Sequence, residues 1–268
     1  MAQQDKFAVV TGASSGIGYE LARVFAKNGY DLLVVSEQDR IEEAGADFST
    51  FNVDVKTVKT DLATYDGVEQ LWKEIEATGR PVDAIAINAG VGVGGDFARE
   101  TDLQEELNMI QLNCSSVVHL AKRVLQQMVP RNEGKILITS SIAGTMPTPG
   151  QAVYGATKAF DLSLARGLRQ ELDGTNITVT ALQPGATDTE FFERAHMENT
   201  KVGSEGKHEN DPAEVAQQGF DALMKGEDHV YAASWKTKIQ GELGRFIPES
   251  VKGAMHKKMM EPKTGTED

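Results

Sequence analysis

Between residues 6 and 185, short apolar runs rich in Val and Ile alternate with longer stretches whose apolar residues recur at helical spacing. KFAVVT, YDLLVVS, VKTVKTDL, DAIAINAG, GKILITSS and NITVTALQPG read as strands, and continuous apolar runs of this length suit strands buried on both faces. IGYELARVFAKNG, VEQLWKEIEATG, the long LQEELNMIQLNCSSVVHLAKRVLQQMV and QAVYGATKAFDLSLARGLRQEL read as helices. Strands separated by helices pair as parallel neighbours through right-handed crossovers. The alternation therefore predicts an α/β fold of three layers, a doubly wound parallel sheet (a Rossmann fold) in a single domain over residues 1–268.

Beyond residue 186 the pattern loosens. The segment at about residues 187–212 is polar and irregular past its first turns, which suits a loop over a substrate. DPAEVAQQGFDALMKG then starts a helix with Asp211 as N-cap, Pro212 at the first helical position and Glu214 two further on, and DHVYAA reads as a last strand. An amphipathic extension follows at about residues 235–268. Its apolar positions, Ile239, Leu243, Phe246, Ile247, Val251, Met255 and Met259, are interrupted at Pro248, and its net charge is positive in an otherwise acidic chain. Such a helix either lies on a membrane surface or packs on its own protein or a partner subunit, and packing is the expectation.

The formal net charge of −13 repels phosphate backbones and argues against nucleic acid as a partner. Cys114 is the single cysteine, so there is no internal disulfide, and a reducing compartment fits. No signal peptide precedes the first strand, no apolar run approaches the roughly 18 residues that cross a bilayer, and the five histidines show no metal-ligand spacing. A cytoplasmic protein without a metal is expected.

Two short stretches point to chemistry. The first strand runs directly into TGASSGIG, with Gly12, Gly16 and Gly18 at a strand-to-helix junction. There a backbone without side chains can approach a pyrophosphate, and the helix N-terminus offers N–H donors. No Lys follows the last glycine, so a Walker-type loop is excluded. The second stretch is QAVYGATKAF, in which Tyr154 and Lys158 stand one helical turn apart. An ammonium beside a phenol lowers the phenol's pKa from about 10 and makes it a usable proton donor near neutral pH. Alone, the pair favours the plainer reading, a solvated Lys beside a packed Tyr on an amphipathic helix.

Taken together, the motifs resemble those of the short-chain dehydrogenase/reductase family. T-G-x-x-x-G-x-G after the first strand is matched by Thr11 to Gly18, N-A-G after the fourth by Asn88, Ala89 and Gly90, Y-x-x-x-K by Tyr154 and Lys158, and P-G after the sixth strand by Pro184 and Gly185, with Thr189 soon after. The family's helix asparagine fits Asn113, and its serine, thirteen residues before the tyrosine, selects Ser141 over Ser140. The resemblance covers roughly residues 6–189. It implies hydride transfer between a nicotinamide dinucleotide and an alcohol/carbonyl pair. Tyr154 is then the general acid/base, Lys158 lowers its pKa and holds the nicotinamide ribose, Ser141 stabilises charge on the reacting oxygen, and Asn113 holds a relay water. It also implies dinucleotide contacts from Gly12, Ser14, Ser15, Gly16, Ile17 and Gly18 in the first turn, from Ser36 and Glu37, from Asp61 and Leu62, and from Asn88, Ala89, Gly90, Tyr154, Lys158, Pro184, Gly185, Thr187 and Thr189.

Several readings stay open at this stage. Asp61 is a cofactor contact or a helix cap, and Asn88 touches cofactor or ties the sheet. Phe191, Phe192 and Met197 line an apolar substrate pocket or fill the core of a short helix. Glu37, at the end of the second strand, favours NAD over NADP because it accepts from ribose hydroxyls and repels a 2′-phosphate, whereas Arg40 cuts the other way. The alternatives are an NADP-dependent ketoreductase of the same family and a dinucleotide-binding regulatory protein without turnover. The helix at residues 103–129 is apolar on more than one face, through Leu107, Ile110, Leu112, Val117, Val118, Leu120 and Leu125, which predicts a homodimer or homotetramer.

Overall fold

A computed structural model describes residues 6–206, 210–232 and 248–262. Seven strands, β1 (Lys6–Thr11), β2 (Tyr30–Ser36), β3 (Val55–Lys59), β4 (Ala84–Ile87), β5 (Gly134–Thr139), β6 (Ile177–Pro184) and β7 (His229–Ala232), form one parallel sheet in the order β3-β2-β1-β4-β5-β6-β7. The chain winds outward from β1 to β3 and then returns to place β4 on the other side of β1. Between β1 and β4 the connections leave in opposite directions, which opens a crevice at the carboxyl ends of the strands.

The two faces of the sheet are covered as a parallel sheet requires. Alternate strand residues Phe7, Val9, Leu33, Ile85 and Ile136 pack under α3 (Tyr65–Glu76), α5 (Ser116–Arg131) and α6 (Ala152–Glu171). Their neighbours Ala8, Val10, Leu32, Val34 and Leu137 pack under α1 (Gly16–Lys27), α2 (Ile41–Ser49) and α9 (Pro212–Lys225). In this second layer Phe25 meets Tyr30 and Phe220 edge-on, each at 5.1 Å between centroids, which contributes about 0.5–1.5 kcal/mol per pair beyond burial.

The helix predicted for residues 103–129 is found, with an interruption. It runs as α4 (Leu103–Ile110), a π-helical turn (Gln111–Ser115) and α5. Asp211 caps α9 through a bond from Ala213 N at 2.9 Å, with Pro212 in the first turn. The loop after β6 holds two short helices, α7 (Phe191–Arg194) and α8 (Lys201–Gly206). Of the C-terminal extension, Ile239, Leu243, Phe246 and Ile247 lie outside the described residues. Its described part forms α10 (Glu249–Met259) directly after Pro248 and packs on the protein itself, with Lys252 and His256 buried. Beyond α10, Lys201 pairs with Glu261 at 2.8 Å, and Thr200 bridges to Pro262. Among the described residues no helix is long and apolar enough to cross a membrane, and no three His, Cys, Asp or Glu group to hold a metal ion.

Candidate active site

The carboxyl ends of β1, β2, β4, β5 and β6 open into one cavity of about 470 Å³, within the range of small-molecule sites. All of the residues expected to touch a dinucleotide line it. Its first wall is the turn between β1 and α1. Gly12 has φ +69°, and a Cβ there would lie 2.9 Å from Ala89 Cα; at Gly18 it would lie 2.1 Å from Gly12 O and 2.5 Å from Asn88 Nδ2. Only glycine lets the turn, α1 and the β4 end meet this closely. Ser15, the N-cap of α1, makes no side-chain capping bond, so the helix's first N–H groups are left for a ligand. Arg194 donates to Ser15 Oγ at 3.2 Å and adds a cation beside that helix end. The narrow glycine cradle, the uncapped helix start and the adjacent guanidinium fit a pyrophosphate.

Asn88 ties the sheet, and it does so at the cavity wall. It lines the cavity, and it ties three strands by donating from Nδ2 to Thr11 O at 3.2 Å and accepting at Oδ1 from Thr139 Oγ1 at 3.1 Å. Asp61 is not the cap of α3. That role belongs to Thr64, whose Oγ1 accepts from Gly67 N at 3.0 Å, while Asp61 Oδ1 accepts from Ala63 N at 2.8 Å and the residue stays exposed at the cavity. Ser36 is buried against Ser14, the hydroxyl oxygens 2.9 Å apart, and Glu37 is exposed at the rim. Arg40 turns away from this corner: Nε donates to Gln38 Oε1 at 2.8 Å, and its guanidinium forms a two-pronged pair with Glu190.

The opposite end holds the polar set. Helix α6 brings Tyr154 and Lys158 to the cavity from one face, one turn apart. Ser141 lines the cavity with Tyr154 and pulls the phenol's pKa down; its hydroxyl donates to Pro184 O at 3.4 Å and accepts from Ala143 N at 3.1 Å. Ser140, by contrast, donates to Lys158 O at 2.6 Å, which anchors α6 and leaves Ser141 as the serine that acts on the phenol. Lys158 Nζ is buried and donates to Thr139 O at 2.9 Å and to Asp161 Oδ2 at 3.0 Å. Asn113 is drawn inward by the π-turn but does not line the cavity. Its Oδ1 accepts from Val91 N at 3.0 Å, and its Nδ2 donates to Val91 O at 2.9 Å and Thr157 Oγ1 at 3.1 Å. The side chain is fully engaged in holding the segment after β4.

One expectation is corrected here. The Tyr154 phenol is not a stronger acid than usual in the unliganded protein. Burial pushes its pKa above 10; Lys158 and Ser141 pull it down, Asp161 pushes it up, and the net direction is upward. Burial likewise draws the Lys158 ammonium down, but Asp161 and Tyr154 raise it further, so Lys158 stays firmly charged.

Around Tyr154 the lining is apolar. Phe191 packs on the phenol ring at 5.2 Å between centroids, and Phe192 lines the cavity behind it. Met197 is buried one layer back, where its sulfur accepts from Gln151 Nε2 at 3.0 Å. The two readings of this trio thus divide: the phenylalanines are pocket wall and the methionine is core. His256 and Met259 of α10 close the far side. Burial lowers the His256 pKa and keeps the imidazole neutral, and its Nε2 has no partner among the described residues. Asp161, Arg194, Gln151 and His256 were not singled out from the sequence. No local pattern marks them, because the fold gathers them from three separated segments, α6 with its N-cap Gln151, α7 and α10.

The sequence profile described as "short chain dehydrogenase" matches residues 6–200. The chain belongs to that family. This dehydrogenase is 33% identical over 184 residues (68% of the chain, 73% of the relative) to the NADP-dependent 3-hydroxy acid dehydrogenase YdfG of Salmonella typhi. It is 29% identical over 258 residues (92% and 96%) to the oxidoreductase UcpA of Salmonella typhimurium. Among solved structures it is similar to a short-chain dehydrogenase from Sphingobium yanoikuyae in complex with NADPH, with a TM-score of 0.78 and 27% identity over 98% of both chains. The protein is therefore an oxidoreductase of the CH–OH group that binds a nicotinamide dinucleotide and moves a hydride between it and an alcohol or carbonyl.

Proposed function

We propose that this dehydrogenase interconverts an apolar ketone and its secondary alcohol, with NAD(H) as the partner. The observation that carries the substrate reading is the lining around Tyr154: Ile142, Ala143, Met146, Phe191, Phe192 and Met259 are apolar, with Gln151 and neutral His256 as polar points. Among the described residues the cations lining the cavity are Lys158, already paired with Asp161, and Arg194, at the opposite helix end. A carboxylate substrate therefore finds no free cation beside the phenol among the described residues. In catalysis Tyr154 gives its proton to the carbonyl oxygen as charge develops there, and Ser141 holds that oxygen by its hydroxyl. Lys158 fixes the charge behind the phenol and offers N–H to ribose hydroxyls. Asn113 clamps the loop after β4 through its side chain. The nicotinamide, when bound, supplies or takes the hydride.

The choice of NAD rests on Glu37 at the rim and on Arg40 being held by Glu190, which leaves no ready cation for a 2′-phosphate. YdfG is NADP-dependent and the Sphingobium yanoikuyae structure holds NADPH, so on this reading the chain departs from those two. Assays with a panel of apolar ketones and 3-hydroxy acids, each with both dinucleotides, test both parts. The expected result is turnover of ketones with kcat/KM at least about tenfold higher for NADH, the factor of one lost charge contact of about 1.4 kcal/mol. Preference for NADPH sinks the Glu37 reading, preference for hydroxy acids the substrate reading, and no turnover with any pair would favour a regulatory protein.

The protein assembles as a homodimer or homotetramer through α4, α5 and α6. Val117 and Leu120 are buried in the core, and Leu112 and Leu125 pack against it, but Leu103, Leu107 and Val118 remain 69%, 45% and 42% exposed and Phe160 of α6 is 40% exposed. Apolar groups this open on neighbouring helices suit a symmetric partner. Light scattering at micromolar concentration is expected to give a multiple of 29.0 kDa, and a stable monomer of that mass refutes the assignment. A cytoplasmic site of action fits the free, half-buried Cys114.

A further inference from the structure

One turn beyond Lys158 on α6 stands Asp161, with none of its surface exposed. Its Oδ2 accepts from Lys158 Nζ at 3.0 Å. Its Oδ1 is equally buried and meets no donor among the described residues. The residue sits beside Leu162 and Ala165, which pack in the core, so an apolar side chain would be the ordinary occupant of such a position. Burying a carboxylate with half of its acceptors unused is costly. A group this expensive to hold calls for a role beyond packing.

The role follows from what surrounds it. The titratable groups facing the pair are Tyr154 on the same helix and Cys114 on the π-turn. Burial pushes the Cys114 thiol up to about 11, so it carries no charge at neutral pH. Thr139 O, from β5, is the remaining acceptor of the ammonium, and Asn113 and Thr157 nearby are neutral. The electrical environment of the phenol is therefore set by one cation and one anion, both buried. A lone ammonium would pull strongly on the phenol's proton. With a carboxylate against it, the ammonium acts on Tyr154 as one end of a dipole, whose field falls off faster than that of a free charge.

We propose that Asp161 is a charge-balancing positioning residue of the active site: paired with Lys158, it fixes the ammonium and weakens its pull on the Tyr154 proton. The phenol is thereby kept as a proton donor at neutral pH, and the site is biased toward carbonyl reduction. The inference rests on the reading of Tyr154 as the acid/base. It concerns the poise of that group and not its identity.

The test is a titration of tyrosinate by its ultraviolet absorbance, in the wild type and in Asp161→Asn, each subtracted against the same protein carrying Tyr154→Phe. Asn keeps the shape and removes the charge. In Asp161→Asn, Tyr154 is expected to ionise about one pH unit lower, and the acid limb of the pH profile for alcohol oxidation should move down with it, with KM for the ketone unchanged. An unmoved or upward-moved titration overturns the proposal, since a merely structural aspartate changes stability alone. Should Asp161→Asn not fold, Asp161→Leu, which also removes the charge, is titrated in the same way: a lowered Tyr154 ionisation supports the proposal, and an unmoved or raised one overturns it. Full turnover by Tyr154→Phe would instead defeat the acid/base reading on which the inference stands.

Discussion

Tyr154→Phe is expected to lower kcat for ketone reduction by about 10² to 10⁴-fold, the contribution of a positioned general acid. The ring is kept, so its packing at 5.2 Å on Phe191 survives and the cavity keeps its shape. The lost atom is the phenol oxygen, the group whose pKa Lys158 and Ser141 pull down. Dinucleotide affinity should change little, because the glycine turn, Arg194 and Lys158 are untouched. Single-turnover rates together with dinucleotide titration by fluorescence separate the two quantities. A variant that binds the dinucleotide normally and turns over at the wild-type rate would remove Tyr154 from the chemistry.

Lys158→Met is expected to be the most damaging single change, because it acts on stability as well as catalysis. Methionine fills a similar volume but leaves Asp161 buried without its only donor. Breaking a buried pair in this way costs about 3–5 kcal/mol. The cost has a definite pH dependence. Burial already raises the Asp161 pKa against the pull of Lys158, and without that pull it rises further. A carboxyl whose folded pKa lies above its unfolded value of about 3.9 favours the folded state when protonated, so that stability is present at low pH and is lost as pH rises through the folded pKa. Melting temperatures of Lys158→Met should therefore fall from mildly acidic to mildly alkaline pH more steeply than those of the wild type. A parallel fall in both proteins would mean that Asp161 does not depend on Lys158. Adding Asp161→Asn to Lys158→Met should restore part of the lost stability, since it removes the stranded charge.

The sheet was legible because buried parallel strands are written as continuous apolar runs, and YDLLVVS became β2 with every residue buried. The cofactor turn was legible because its glycines answer a local steric demand. Helix α2 was missed: IEEAGADFS is short, holds a glycine at position 45, and buries only Ile41, Ala44, Gly45 and Phe48. Asp161 was missed for a different reason. An aspartate on an amphipathic helix reads as solvent-facing, and only the packing of α6 over β5 and β6 shows that this one faces inward. The direction of the phenol's pKa was misjudged for the same cause, since the Tyr154–Lys158 spacing shows the cation and hides both the burial and the anion behind it. His256 joined the cavity from more than a hundred residues away in sequence, a closeness that no periodicity encodes.

The π-turn at Gln111–Ser115 is a phase slip in the long helix. An α-helix turns by about 100° per residue, and a wider turn accommodates an additional residue, so the stripes on either side of it are offset by about that angle. Leu103 and Leu107 face outward before the slip, whereas Val117, Leu120, Ala121 and Val124 face the core after it, and Asn113 lies within the slip itself. Deleting one residue there would give a smoother and intrinsically better helix. It would also rotate either the core stripe off the sheet or Asn113 away from Val91, and the loop after β4 would lose its clamp. In this molecule, local regularity and a working site are competing demands on the same five residues.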